Sequence, residues 1–189
     1  MAVTKGLVPF QTVGPYFDIM LRSRVPSRQV TDATLGTRVT IEGTVVDGEG
    51  GGMPDAFVET WQADAQGRYR HPEDRRPQPI DPAFTGYGWA HTRADGGFTF
   101  HTIKPGPVPG PDGVDQAPHV LVSIMARSIL TRFITRLYFD DEASNARDPI
   151  LSIVPENRRQ TLIARRTGKS QYRFDIVMQG PRETVFFDV

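Results

Sequence analysis

Histidines 71, 91, 101 and 119 are the first places to look for chemistry, because the chain has no cysteine. The lack of thiols excludes disulfides, thiolate metal sites and a cysteine nucleophile, and fits a reducing compartment. The four histidines are too scattered for a short metal motif. His101 falls on an alternating strand and His91 on a strand edge, so both are expected to be structural, and His71, in a charged loop, is expected to be solvated. His119 differs, because a long loop delivers it onto the first residues of an apolar strand. One imidazole is not a metal site, so taken alone it reads as a core residue. Asp140, Asp141 and Glu142 come after a strand and before a helix, where negative charge favours the helix N-terminus. They read as capping residues and not as an acid/base pair. There is no nucleophile elbow, phosphate-binding loop or dinucleotide fingerprint, and GEGGG at 48–52 is a turn with no helix behind it. Arg127 lies in a connection, 126–131, at a strand end. A guanidinium there can take an aromatic carboxylate through two hydrogen bonds, or be a plain surface charge.

The elements that must position these groups are short strands. Residues 38–46 (RVTIEGTVV) are β-branched and alternating, and 57–62 (FVETWQ) alternate with Phe57, Glu59 and Trp61 on one face. A polar loop follows over 68–88, with Pro72, Pro77, Pro79 and Pro82 and carrying Tyr69, His71 and Tyr87. Segments 89–92 and 97–101 flank the Asp95-Gly96 hairpin signal. The loop 104–118 carries Pro105, Pro107, Pro109 and Pro111 among Gly106, Gly110 and Gly113, and Pro118 closes it. A loop so long and so stiffened is uncommon unless it shapes a site or an interface. Strands are expected at 121–125, 133–139, 171–178 and 183–189, and short helices at 141–147 and 155–163. Together these describe an all-β fold: one β-sandwich over 36–189, with long loops and minor helix, preceded by an apolar arm over 1–35 that needs another surface to bury its aromatics.

Composition narrows the partners. Lys+Arg 22 against Asp+Glu 22 gives zero formal charge over 189 residues, which argues against a nucleic-acid partner and suits a subunit inside an assembly. No window is apolar enough to span a membrane, and the N-terminus lacks the apolar run of a signal peptide, so a cytoplasmic location is expected.

Several blocks carry more information together. WQADAQGRYRH (61–71), HTIKPGPVP (101–109), APHVLVSI (117–124), TRLYFDDE (135–142), YRFDIVMQG (172–180) and the ending ETVFFDV closely resemble the intradiol ring-cleaving dioxygenases, from about Gln11 onward. The resemblance implies a ferric ion held by two tyrosines and two histidines, which activates a bound catechol toward O₂. Phenolates are hard anionic donors that stabilise Fe(III). By the resemblance, the ligand positions are Tyr69, Val108, His119 and Leu121, so valine and leucine stand where a tyrosine and a histidine belong. No metal is therefore expected in this chain. The resemblance further implies a homologous iron-bearing beta chain as partner, protocatechuate and O₂ as substrates, and an assembly of alpha/beta pairs. The substrate pocket at that interface would take Thr12, Gly14, Pro15 and Arg127 from this chain. Two alternatives stay open: a non-catalytic aromatic-binding β-sandwich module, and a self-contained dioxygenase with an altered metal site.

Overall fold

The computed structural model describes residues 11, 12, 14, 26–127 and 129–188. Pro15 and most of the arm expected over 1–35 lie outside the described residues.

Alternation along the chain decides which side chains turn inward. In β1 (Arg38–Val46) the inward set is Val39, Ile41, Gly43 and Val45. In β2 (Phe57–Trp61) the inward pair Val58 and Thr60 is buried, while Glu59 and Trp61 face outward with Phe57. β3 (Tyr87–His91) pairs antiparallel with β2, and β4 (Gly97–Ile103) pairs antiparallel with β1. Two short strands, β5 (Val108–Pro109) and β6 (Asp115–Gln116), fold the Pro/Gly loop back on itself. β7 (His119–Met125) lies between β2 and β8 (Phe133–Phe139). β9 (Ile163–Gly168) runs parallel to β8 and antiparallel to β10 (Gln171–Arg173). β10 and β11 (Ile176–Val177) both pair with β1, parallel to it.

The sheet runs from β4 through β1, β10 and β11, β9, β8, β7 and β2 to β3, so its two ends are consecutive strands and it nearly closes on itself. Both halves send apolar residues into one core, with Ile41, Phe98 and Phe100 from one side meeting Val122, Ile124 and Leu137 from the other. This is the expected all-β sandwich.

Several expected elements change on inspection. Residues 171–178 are two strands, because the ladder to β1 is interrupted at Phe174, whose N–H donates to Glu42 O at 2.8 Å. Gly43 permits that close approach, since a Cβ there would overlap Phe174 O. The expected strand 183–189 is absent over 183–188, where a non-repetitive tail is pinned by Thr184 N–H to Val177 O and Phe187 N–H to Ile134 O. The helix expected at 141–147 is a 3₁₀ turn, Ala143–Arg147, and that expected at 155–163 is the short helix Glu156–Arg159 followed by a 3₁₀ turn, Gln160–Leu162. Capping by Asp140–Glu142 does not occur: Asp141 and Glu142 instead hold Lys104 Nζ at 2.8 and 2.7 Å. The capping carboxylate is Asp148, ahead of a helix that alternation did not reveal, Pro149–Ile153. No helix among the described residues is long and apolar enough to cross a membrane.

Asp148 is 1% exposed, and its oxygens accept from Ile150 N–H, Leu151 N–H, Ala117 N–H and the Tyr138 hydroxyl at 2.6–3.1 Å. Asp148→Ala leaves those donors buried and unpaired, so it should lower the unfolding free energy by about 2–4 kcal/mol, read from urea denaturation. A loss below about 0.5 kcal/mol would mean that water replaces the carboxylate without cost.

Candidate functional site

Outward-facing residues of β2, β3, β7 and β8, together with the two long loops, enclose an open cleft of ≈ 900 Å³. Its floor follows from strand register. Trp61 pairs with Tyr87 on one side and Leu121 on the other, and Leu121 pairs with Arg136. Because the side-chain period of a strand is two, these four residues stand in a row on one face. His119 enters at the start of β7 and Val108 from β5, while loop 68–86 brings Tyr69, Asp74 and Arg76 over the top.

The four positions singled out by resemblance therefore meet. Tyr69, Val108, His119 and Leu121, far apart in sequence, all line this one cleft. Tyr69 lies parallel to Trp61, with centroids 6.0 Å apart at 7°. Burial raises the Tyr69 phenol above its usual range, against the lowering influence of Arg136 and Arg76, so at neutral pH it is protonated. His119 is 5% exposed, and its Nδ1–H donates to Ala117 O at 2.8 Å, which leaves Nε2 as the unprotonated nitrogen. Valine and leucine offer a metal no electron pair, and a protonated phenol with one neutral imidazole is too small a donor set for tight ferric binding. The iron of the resembled family does not fit the residues present here.

Charge in the cleft is organised by pairing. Asp74 holds Arg76 at 2.5 Å and takes the Tyr69 N–H at 2.8 Å, and the Arg76 hydrogen bond holds its carboxyl well below the usual range. Beside the cleft, Glu59 accepts from the Tyr87 hydroxyl at 2.6 Å and Ser123 Oγ at 2.8 Å, with Arg132 at 3.5 Å. Arg136 is half-buried and, among the described residues, donates only to neutral oxygens, Gln116 Oε1 at 2.6 Å and the Tyr138 hydroxyl at 3.4 Å.

The residues expected at an interface are elsewhere. Arg127 does not line the cleft; it is exposed and pairs with Asp55 at 3.0 Å. Thr12 joins it there, its Oγ1 donating to Ala126 O at 3.2 Å, and Gly14 is exposed. Pro15 is outside the described residues. His71, expected to be solvated, is exposed, but its ring meets Trp61 edge-on at the cleft rim. Arg136 went unnoticed in the sequence, although the parity of β8 was a usable signal: Thr135 and Leu137 face the core, so Arg136 must face outward.

Comparisons with known proteins fit this geometry. A family model described as dioxygenase matches residues 13–180. The protocatechuate 3,4-dioxygenase alpha chain of Pseudomonas putida is 42% identical over 196 residues, covering 95% of each chain. The protocatechuate 3,4-dioxygenase beta chain of Burkholderia cepacia is 36% identical over 155 residues, covering 77% of this chain and 66% of its own. Among solved structures, the dioxygenase domain of a dioxygenase–carbohydrate-binding fusion from Streptomyces sp. SirexAA-E superposes with a TM-score of 0.63 at 27% identity, covering 94% and 98% of the two chains.

The imidazole of His119 carries a pH signature. Burial, reinforced by the Arg136 charge, lowers it to about 4 from its usual 6.5, against the hydrogen bond to Ala117 and the charge of Asp148. Between those values the unfolded chain binds more protons than the folded one, so stability rises with pH across the window and is lost as pH falls from about 6.5 to about 4. The stability advantage of the wild type over His119→Gln should therefore shrink by about 2 kcal/mol between pH 7 and pH 4.5 in urea unfolding. Parallel pH profiles for the two proteins would show that His119 is protonated in the folded state.

Proposed function

Since the chain belongs to the intradiol ring-cleaving dioxygenase family, we propose that it works as the alpha-type subunit of a protocatechuate 3,4-dioxygenase, one that binds no iron itself. The family uses Fe(III), and in this reading a homologous beta chain holds it. The complex cleaves protocatechuate with O₂, between the two hydroxyls, to 3-carboxy-cis,cis-muconate. The observation that carries the reading is the presence of Val108 and Leu121 in the same cleft as Tyr69 and His119. The architecture of the site is kept while half of its donors are hydrocarbon. The high identity to alpha chains over nearly the whole length supports the same conclusion.

In this proposal the chain completes the partner's pocket. Residues 1–35 form an arm that packs on the beta chain, and 36–189 form the sandwich. Thr12, Gly14 and Pro15 shape the mouth of the substrate cleft and exclude water. Arg127 supplies a cation to the substrate carboxylate. Its present tie to Asp55 supports this role, because an exposed pair is worth little and releases the guanidinium readily. Near-zero net charge fits burial in a larger assembly of alpha/beta pairs in the cytoplasm.

Two measurements test the reading. Tagged chain co-expressed with a beta-type chain should pull it down in a 1:1 ratio; monomeric elution of both would contradict a shared pocket. In that complex, Arg127→Ala should lower kcat/KM for protocatechuate about tenfold with iron content unchanged. Unchanged kinetics would remove Arg127 from the pocket.

A further inference from the structure

We infer that the cleft of this chain is itself a binding site for a small aromatic carboxylate, with Arg136 holding the anion and no turnover. The inference rests on this chain's own residues and not on the proposed partner.

The argument starts from charge. Four arginines line the cleft, Arg75, Arg76, Arg132 and Arg136, against two carboxylates, Glu73 and Asp74. Arg76 is taken by Asp74 and Arg75 by Glu73 at 3.7 Å, while Arg132 sits near Glu59. Arg136 alone among these four has no carboxylate within 4.0 Å among the described residues. Its hydrogen bonds go to an amide oxygen and to a tyrosine hydroxyl whose own proton is given to Asp148. A half-buried guanidinium satisfied only by neutral acceptors keeps unspent affinity for an anion, and its planar fork matches a carboxylate.

The surroundings select the rest of the ligand. Arg136 pairs with Leu121 in register, and Leu121 pairs with Trp61, so the cation is flanked by an apolar floor that Val108 extends. Trp61, Tyr69 and Tyr87 form a continuous aromatic wall, with centroids 6.0 and 6.3 Å from Trp61. A volume of ≈ 900 Å³ suits a molecule with one or two rings. The replacements at 108 and 121 that exclude a metal are the same ones that make the floor apolar.

The test uses the purified full-length chain with 4-hydroxybenzoate as the probe, followed by tryptophan fluorescence and calorimetry. Saturable binding at one site per chain is expected. The neutral analogue 4-hydroxybenzamide should bind at least about tenfold more weakly, because it loses the charge-assisted pair. Arg136→Gln should weaken the carboxylate by a similar factor without affecting the amide, and Arg136→Lys should restore part of the loss. Equal affinity for the two probes would overturn the assignment, as would no saturation at millimolar concentration. The probe pair needs no variant, so the result stands even if Arg136→Gln fails to fold. Loss of binding on Arg75→Gln with none on Arg136→Gln would place the anion at the rim and equally overturn it.

Discussion

The buried carboxylate of Asp148 is the constraint on which the site depends. A charged group at 1% exposure is costly unless its lone pairs are filled, and here four donors fill them. The donors come from three different parts of the fold. The two amides start the helix Pro149–Ile153, the Ala117 amide ends the Pro/Gly loop, and the Tyr138 hydroxyl belongs to β8. Ala117 in turn accepts from His119, and Tyr138 accepts from Arg136. A single buried anion thus fixes, through Ala117 and Tyr138, the imidazole and the guanidinium that both line the cleft.

Around that anchor the sheet divides its labour by face. Inward residues of β1, β4, β7 and β8 build the core, and outward residues of β2, β3, β7 and β8 build the cleft. By the resemblance, valine and leucine stand where metal donors belong at 108 and 121, and both are apolar residues that pack on strands beside the cleft. A degenerate ligand set can therefore persist with its architecture intact. In the proposed function the chain acts through shape and charge at the exposed end that bears Arg127 and Thr12, which is separate from the cleft that bears Arg136.

Much of this was legible in the residues, and the exceptions have physical causes. β1 and β8 match their alternating segments to the residue, because a half-buried strand must alternate. The inward set Tyr172, Phe174 and Ile176 was also readable, though not the break in the ladder where Phe174 O approaches Gly43. Asp140, Asp141 and Glu142 were misread because their partner Lys104 is remote in sequence, and local charge rules favour the nearest helix. Asp148 was missed for the same reason, since Ala117 and Tyr138 reach it only through the fold. The meeting of Tyr69, Val108, His119 and Leu121 came from family resemblance; spacing alone would not have joined them. Arg136 needed the strand register.

The central claim is that this chain holds no iron of its own and acts through a partner that does. The most direct measurement is iron content together with protocatechuate-dependent oxygen uptake, for the purified chain alone and for the chain co-expressed with a beta-type partner. A chain without iron or oxygen uptake on its own, and an iron-bearing active complex with the partner, is the predicted result. Stoichiometric iron and turnover in the chain alone would contradict the account, because donors to replace the hydrocarbon side chains of Val108 and Leu121 would then have to reach the cleft.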